Sequence, residues 1–181
     1  VHRRTAKTIR LQVDASGSKD VNERPLSFRW SLLQGDPDKV RIVPEKEGSA
    51  KATIEIDWHA PFQSRHFSDV QSARVDIGVF AHNGAHPSTP AFVTCWFPPN
   101  EKRTYEDGRI QSVNYRAKRY ADPRIATRKV WQDEYHYENG VCTGWTRTRG
   151  KKTFSFNADG AAMVNGKVRA VSYGRRRPKN S

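Results

Sequence analysis

The stretch Trp131-Gln-Asp-Glu-Tyr-His-Tyr137 spaces its aromatics two apart. On a strand, Trp131, Asp133, Tyr135 and Tyr137 then share one face, and Gln132, Glu134 and His136 share the other. Trp145 follows in a second aromatic stretch, and Arg147, Arg149, Lys151 and Lys152 surround it with positive charge. An aromatic row of this kind has two uses. Turned inward, it is core. Left open, it is a stacking platform, and a cationic border suits it to acidic polysaccharides or, without sequence preference, to nucleic-acid bases. Trp131, Tyr135, Tyr137, Trp145, Arg147, Arg149, Lys151 and Lys152 are therefore the candidate ligand-binding residues.

Other groups bear chemistry in looser arrangements. Asp14, Asp20 and Asn22 form an acidic loop, with Asp36 and Asp38 as further oxygens. Calcium takes six to eight oxygen ligands, so the loop is a calcium candidate. Short Asx side chains also cap turns through local amides, which is the competing use. His82 and His86 flank Asn83-Gly84, so they read as loop histidines rather than as zinc ligands on one helical face. Cys95 and Cys142 are either one disulfide or two buried thiols. There is no Gly-x-Ser-x-Gly elbow, Walker loop, His-Glu-x-x-His or dinucleotide fingerprint. The reading therefore leans away from an enzyme and expects no cofactor beyond the calcium candidate.

The elements that position these residues follow from charge and periodicity. Residues 1–100 hold 13 basic and 11 acidic side chains, whereas 101–181 hold 19 and 8, with all six tyrosines. Phe97-Pro98-Pro99-Asn100 lies between, and prolines cannot donate to a ladder, so a module boundary falls near residue 100. In residues 1–100 apolar side chains alternate along Ile9–Val13, Leu26–Leu32, Val40–Ile42, Ile54–Trp58 and Val75–Val79, while Phe92–Phe97 is apolar on both faces. Short strands with no amphipathic helix between them predict a β-sandwich.

In residues 101–173, Asp107-Gly108, Asn139-Gly140, Asp159-Gly160 and Asn165-Gly166 punctuate aromatic and β-branched stretches. These dipeptides supply positive φ cheaply and predict hairpins, hence a curved antiparallel sheet of five or six strands. Residues 174–181 read as a basic, mobile tail. No apolar run is long enough to cross a bilayer. No signal peptide is expected, and the start at Val1 rather than Met suggests a processed or excised piece.

Leu11-Gln-Val-Asp-Ala-Ser-Gly-Ser-Lys-Asp20 followed by Pro25-Leu-Ser-Phe-Arg-Trp30 resembles the second and third strands of a PKD-type, immunoglobulin-like domain. Arg74–Phe80 and Ala91–Trp96 would be its closing hairpin, and the resemblance covers roughly residues 8–97. The chain departs from the family at Val21-Asn22-Glu23-Arg24 and at Ser31–Asp36. A fainter similarity joins this part to C-terminal immunoglobulin-like modules of bacterial exported, cellulose-binding proteins. Tyr105–Arg109, Tyr137–Gly140 and Phe156–Gly160 are loosely similar to tyrosine-aspartate hairpin repeats.

The expectation is an all-β chain: an immunoglobulin/PKD-like sandwich (1–100), a cationic hairpin module (101–173) and a basic tail (174–181). The expected role is a non-catalytic accessory segment of a larger exported bacterial protein, extracellular or periplasmic, contacting polysaccharide or another polyanion. The alternatives are a structural spacer beside an upstream catalytic domain, or a hydrolase or lyase with its cleft between the modules.

Overall fold

The structure, a computed structural model, describes residues 5–64, 71–116 and 130–169. Among them are fifteen strands, one short 3-10 turn (Pro37–Lys39) and no α-helix. No helix is long and apolar enough to cross a membrane.

Eight strands precede residue 100: β1 (Thr8–Asp14), β2 (Ser27–Gln34), β3 (Val40–Pro44), β4 (Lys51–Asp57), β5 (Phe62–Gln63), β6 (Gln71–Ser72), β7 (Arg74–His82) and β8 (Ala91–Trp96). They form an antiparallel sheet ordered β1-β4-β3, a second ordered β2-β7-β8, and the small β5-β6 ladder, which the alternation pattern did not announce. The two larger sheets face each other through the alternating residues. Ile54, Ile56, Val75 and Ile77 are fully buried between them, with Ile9, Leu11, Val13, Trp30, Leu32, Val93 and Cys95 packed around. The expected sandwich is present. In its last strand, apolar on both faces, Val93 and Cys95 point into the core, whereas Phe92 and Trp96 point to solvent, 62% and 71% exposed.

Seven strands follow residue 100: β9 (Glu101–Glu106), β10 (Arg109–Tyr115), β11 (Trp131–Glu138), β12 (Val141–Arg149), β13 (Lys152–Asn157), β14 (Ala162–Val164) and β15 (Lys167–Val168). They make one sheet in which spatial order follows chain order. It has seven strands rather than five or six because two short hairpins add β14 and β15. The four turn dipeptides all lie between strands. At Asp107-Gly108, Asn139-Gly140 and Asn165-Gly166 both residues have positive φ, the primed turn that matches strand twist. A fifth turn, unforeseen, is led by Gly150 at φ 60°. Gly144 is demanded by a close approach, since a Cβ there would sit 2.1 Å from the Phe156 carbonyl oxygen, beside the register shift at His136/Tyr137. The predicted basic tail, residues 174–181, lies outside the described residues.

No strand is shared across residue 100, but the sheets touch. Ala6 bridges to Arg109, and the Arg103 guanidinium lies 4.0 Å from the Trp58 ring centroid. Arg103 also pairs with Glu101 at 2.6 Å, and both side chains are nearly enclosed. Burial opposes the Arg103 charge, yet the Glu101 hydrogen bond and charge more than offset it, so its pKa is raised. Trp58 packs edge-on against Phe97, whose ring also lies 5.3 Å from that of His59.

His59 is 1% exposed. Its Nε2 accepts the Asp36 amide at 3.1 Å, and its Nδ1 is 2.8 Å from the Asp57 carbonyl. Nδ1 therefore carries the proton, and a second proton on Nε2 would face an N–H donor. Burial, the largest cause, and Lys39 hold the His59 pKa below its usual value. A depressed histidine stabilises the fold above its unfolded pKa, near 6.5, and that contribution is lost as pH falls through the folded pKa. The melting temperature is expected to fall as pH drops below about 6.5, a step ahead of carboxylate protonation. The His59→Gln variant should lack that step. An unchanged profile from pH 7 to 5 in the parent would refute the assignment.

Candidate functional site

The sequence-predicted aromatic row lies on the inner face of the rear sheet. Trp131 and Tyr135 are each 7% exposed, Trp145 is also buried, and Asp133 between them is fully enclosed. The rings stack on one another. Tyr115 lies 5.0 Å from Trp131 at 3°, Tyr135 lies 5.6 Å from Trp145, and Trp145 lies 5.2 Å from Phe156. Tyr137 donates its hydroxyl to the Ile110 carbonyl at 2.7 Å, and burial raises its pKa. These contacts supply the module's core, together with Ile110 and Val113.

Arg147, assigned to the platform's cationic border, belongs to the same core. It donates to both Asp133 oxygens, at 2.6 and 2.7 Å, and lies 4.1 Å from the Trp131 ring centroid. The pairing follows from register, because Asp133 sits directly opposite Arg147 on the neighbouring strand. Arg149 is half-buried with its Nε enclosed. Lys151 and Lys152 remain exposed, at the turn joining β12 to β13. Thus of the eight predicted ligand residues, the structure gathers the aromatics and Arg147 inside and leaves the two lysines on the surface. The basic residues of 101–181 are divided between described and undescribed segments. Described residues beyond 100 hold ten basic and seven acidic side chains, and nine of the nineteen basic residues lie outside them.

The acidic loop is occupied by its own backbone. Asp14 Oδ1 accepts the Ser16 amide at 2.8 Å, and hydrogen bonds to Ser16 lower its pKa. Asp20 Oδ1 accepts the Asn22 and Arg24 amides, and Oδ2 accepts Asn83 Nδ2 at 2.8 Å. The Asn83 bond is the leading reason that the Asp20 pKa is lowered. Asp14 and Asp20 thus act as turn caps, the competing use of Asx side chains, and Asn22 supplies its backbone amide to Asp20. His82 Nδ1 accepts the Gly84 amide within its hairpin loop. Among the described residues no three His, Cys, Asp or Glu side chains are grouped as metal ligands would be. Cys95 and Cys142 are thiols, each packed in its own module, so no disulfide joins the modules.

The aromatic face that is open lies on the sandwich. Along the outer surface of β2-β7-β8, Phe80 and Gly78 of β7 neighbour Arg29 and Ser31 of β2, while Phe92, Thr94 and Trp96 of β8 lie opposite Gly78, Asp76 and Arg74. A Cβ at Gly78 would meet Leu33 Cδ1 at 2.8 Å and Phe80 Cε2 at 3.1 Å. Leu33 and Phe80 therefore fold over its backbone beside Phe92. Guanidinium groups border both ends: Arg29 lies 5.1 Å from the Phe80 centroid, and Arg74 lies 5.6 Å from the Trp96 centroid. Phe92 and Trp96, four residues apart on one strand face, are separated by roughly 13 Å along the strand. The sequence carried a signal for this surface. A strand apolar on both faces must expose one of them if only one sheet packs against it.

Comparison with known protein families, curated proteins and solved structures finds no match to this chain.

The inward row makes a firm prediction. Removing one partner of an enclosed ion pair strands the other charge, at a cost of about 3–5 kcal/mol. Asp133→Ala should therefore lower the denaturant midpoint of the rear module sharply, while the double variant Asp133→Leu/Arg147→Met recovers most of the loss. Lys151→Ala should change stability by no more than about 0.5 kcal/mol. Equal, small effects of Asp133→Ala and Lys151→Ala on urea unfolding would contradict the buried pair.

Proposed function

We propose that the chain is a non-catalytic binding segment whose ligand is an acidic polysaccharide, held on the outer face of β2-β7-β8 by Trp96 and Phe92 with Arg74 and Arg29. The observation that carries this reading is the exposed, arginine-bordered aromatic stripe. The C–H face of a sugar ring packs on an aromatic face by dispersion. The planar guanidinium fork matches a carboxylate or sulfate in a way an ammonium does not. A neutral glycan would use the rings and leave the arginines idle, whereas a generic polyanion would use the arginines and leave the rings idle. Lys151 and Lys152 add positive charge on the rear sheet but offer no ring beside them.

The fold is in keeping with this role. The strand order β1-β4-β3 facing β2-β7-β8 supports the PKD-type, immunoglobulin-like reading, since it is the order of such a sandwich without its first strand. The Trp58–Arg103 contact favours a second, compatible use as a stiff two-module arm beside a catalytic domain of the same exported bacterial protein. An acidic glycan partner places the segment outside the cytoplasm, extracellular or periplasmic.

Titration calorimetry with polygalacturonate, heparin and a soluble neutral β-glucan tests the reading. Binding to one acidic polymer is expected, weakening with salt as phosphate-like ion contacts do. Trp96→Ala and Arg74→Ala should each weaken it about tenfold, in the range of one stacking or cation contact. Lys151→Ala should weaken it less than threefold. Loss with Lys151→Ala but not with Trp96→Ala would place the ligand elsewhere.

A further inference from the structure

Strand β8 has a central strand's composition at a sheet's edge. Among the described residues its one ladder neighbour is β7. The Phe97 amide donates to the Ala73 carbonyl at 2.9 Å, so the odd positions before it, Cys95, Val93 and Ala91, direct their backbone groups towards β7. The backbone groups of Phe92, Thr94 and Trp96 then point to the open edge. Edge strands are ordinarily guarded by lysine, proline, a bulge or extreme shortness. β8 has six residues, no charged side chain, no proline and an unbroken register with β7. Its two faces, Ala91-Val93-Cys95 inward and Phe92-Thr94-Trp96 outward, are both largely apolar. That is the pattern of a strand covered on both faces, as in the middle of a packed sheet.

We propose that two copies of this chain pair through that edge, β8 against β8, antiparallel about a two-fold axis at Thr94. The strand is self-complementary in this register. Thr94 meets Thr94, and Phe92 of each copy meets Trp96 of the other. All three positions present their backbone groups to the edge, so each opposed pair exchanges two hydrogen bonds. Opposed residues share a face, which sets each Phe92 beside a Trp96 as a cross-strand aromatic pair. On the inner side, Val93 meets Cys95, and this second apolar row borders the cleft of about 590 Å³ that opens between the sheets beside β8, lined by Val13, Phe28, Trp30, Val79, Ala91 and Val93.

The self-complementary register selects a second copy, and charge selects this edge for it. The chain carries +13, so two copies repel across most approaches. β8 is neutral, and the charged neighbours on its outer face, Arg74 and Asp76, pair with each other at 2.8 Å. A neutral, self-complementary edge is where like-charged copies meet at least cost. The result is one six-stranded sheet with a continuous aromatic row. The pairing stands apart from the glycan reading, because it uses the backbone edge and leaves the outer face open.

Sedimentation equilibrium of the full chain over a range of concentrations is the test. The expected mass rises with concentration to twice 20.7 kDa. Thr94→Pro removes an edge-facing N–H without breaking the ladder to β7, and Thr94→Lys sets two like charges directly opposite each other on the two-fold axis. Each is expected to raise the dimer dissociation constant at least tenfold while far-UV circular dichroism and melting temperature stay near parental. A chain that stays monomeric at its highest soluble concentration overturns the proposal. So does a dimer unaffected by whichever of the two variants keeps its fold. Glycan titration of the Thr94→Pro monomer reports on the aromatic face separately.

Discussion

The carboxylate of Asp133 is fully enclosed, and this one charge decides which way the rear sheet faces. A strand reading Trp-Gln-Asp-Glu-Tyr-His-Tyr offers two faces, one with three rings and an acid, the other wholly polar. Burying the aromatic face requires an answer to the acid. Arg147 supplies it bidentately from the facing position of the next strand, and its guanidinium is flat enough to lie against the Trp131 ring while it does so. Once the pair is formed, a one-residue slip between β11 and β12 would bury a charge without a partner as well as misplace every ring. The buried pair therefore acts as a register pin for a meander whose hairpins are otherwise similar to one another.

The same residue type does the same work at the junction. Arg103 lies over Trp58 from the sandwich while holding Glu101 of its own strand. Because Trp58 and His59 are consecutive and both rings meet Phe97, the core of the sandwich, the start of the rear sheet and the Asp36 turn are bound in one aromatic cluster. Protonation of His59 would disturb the Asp36 turn and the Phe97 packing together. Acid sensitivity at this site is thus a property of the junction as much as of the sandwich.

Much of the architecture is written in local chemistry. Period-two alternation gives the sandwich strands, and the Asp-Gly and Asn-Gly pairs give the hairpins, because both signals depend on a few neighbouring residues. The Gly150 turn escaped since glycine leads it without Asn or Asp. The location of the open aromatic surface escaped for a different reason. Whether a row of rings is core or platform depends on what covers it, and coverage is a property of distant segments. Asp133 was the local hint, since an acid among four alternate positions reads as exposure until its partner is found. Arg147 was visible as a charge but not as that partner, because pairing needs the strand register. At β8 the sequence shows a strand apolar on both faces, but which face is left open follows only from the fact that one sheet packs against it.

Charge and aromaticity separate in this molecule. Among the described residues the rear sheet has most of its rings and two of its arginines, Arg103 and Arg147, folded inside. On the sandwich, where basic and acidic side chains nearly balance, Arg29 and Arg74 stand against the Phe80 and Trp96 rings. Net charge governs encounter with a polyanion at distances near a Debye length, about 10 Å, and contributes little to which polymer is held. Local pairing of a guanidinium with an open ring governs the second. On the proposed glycan reading, long-range attraction by the chain's net charge and short-range recognition at the β7–β8 face are therefore separable. Varying salt acts chiefly on the first, and changing Trp96 acts on the second.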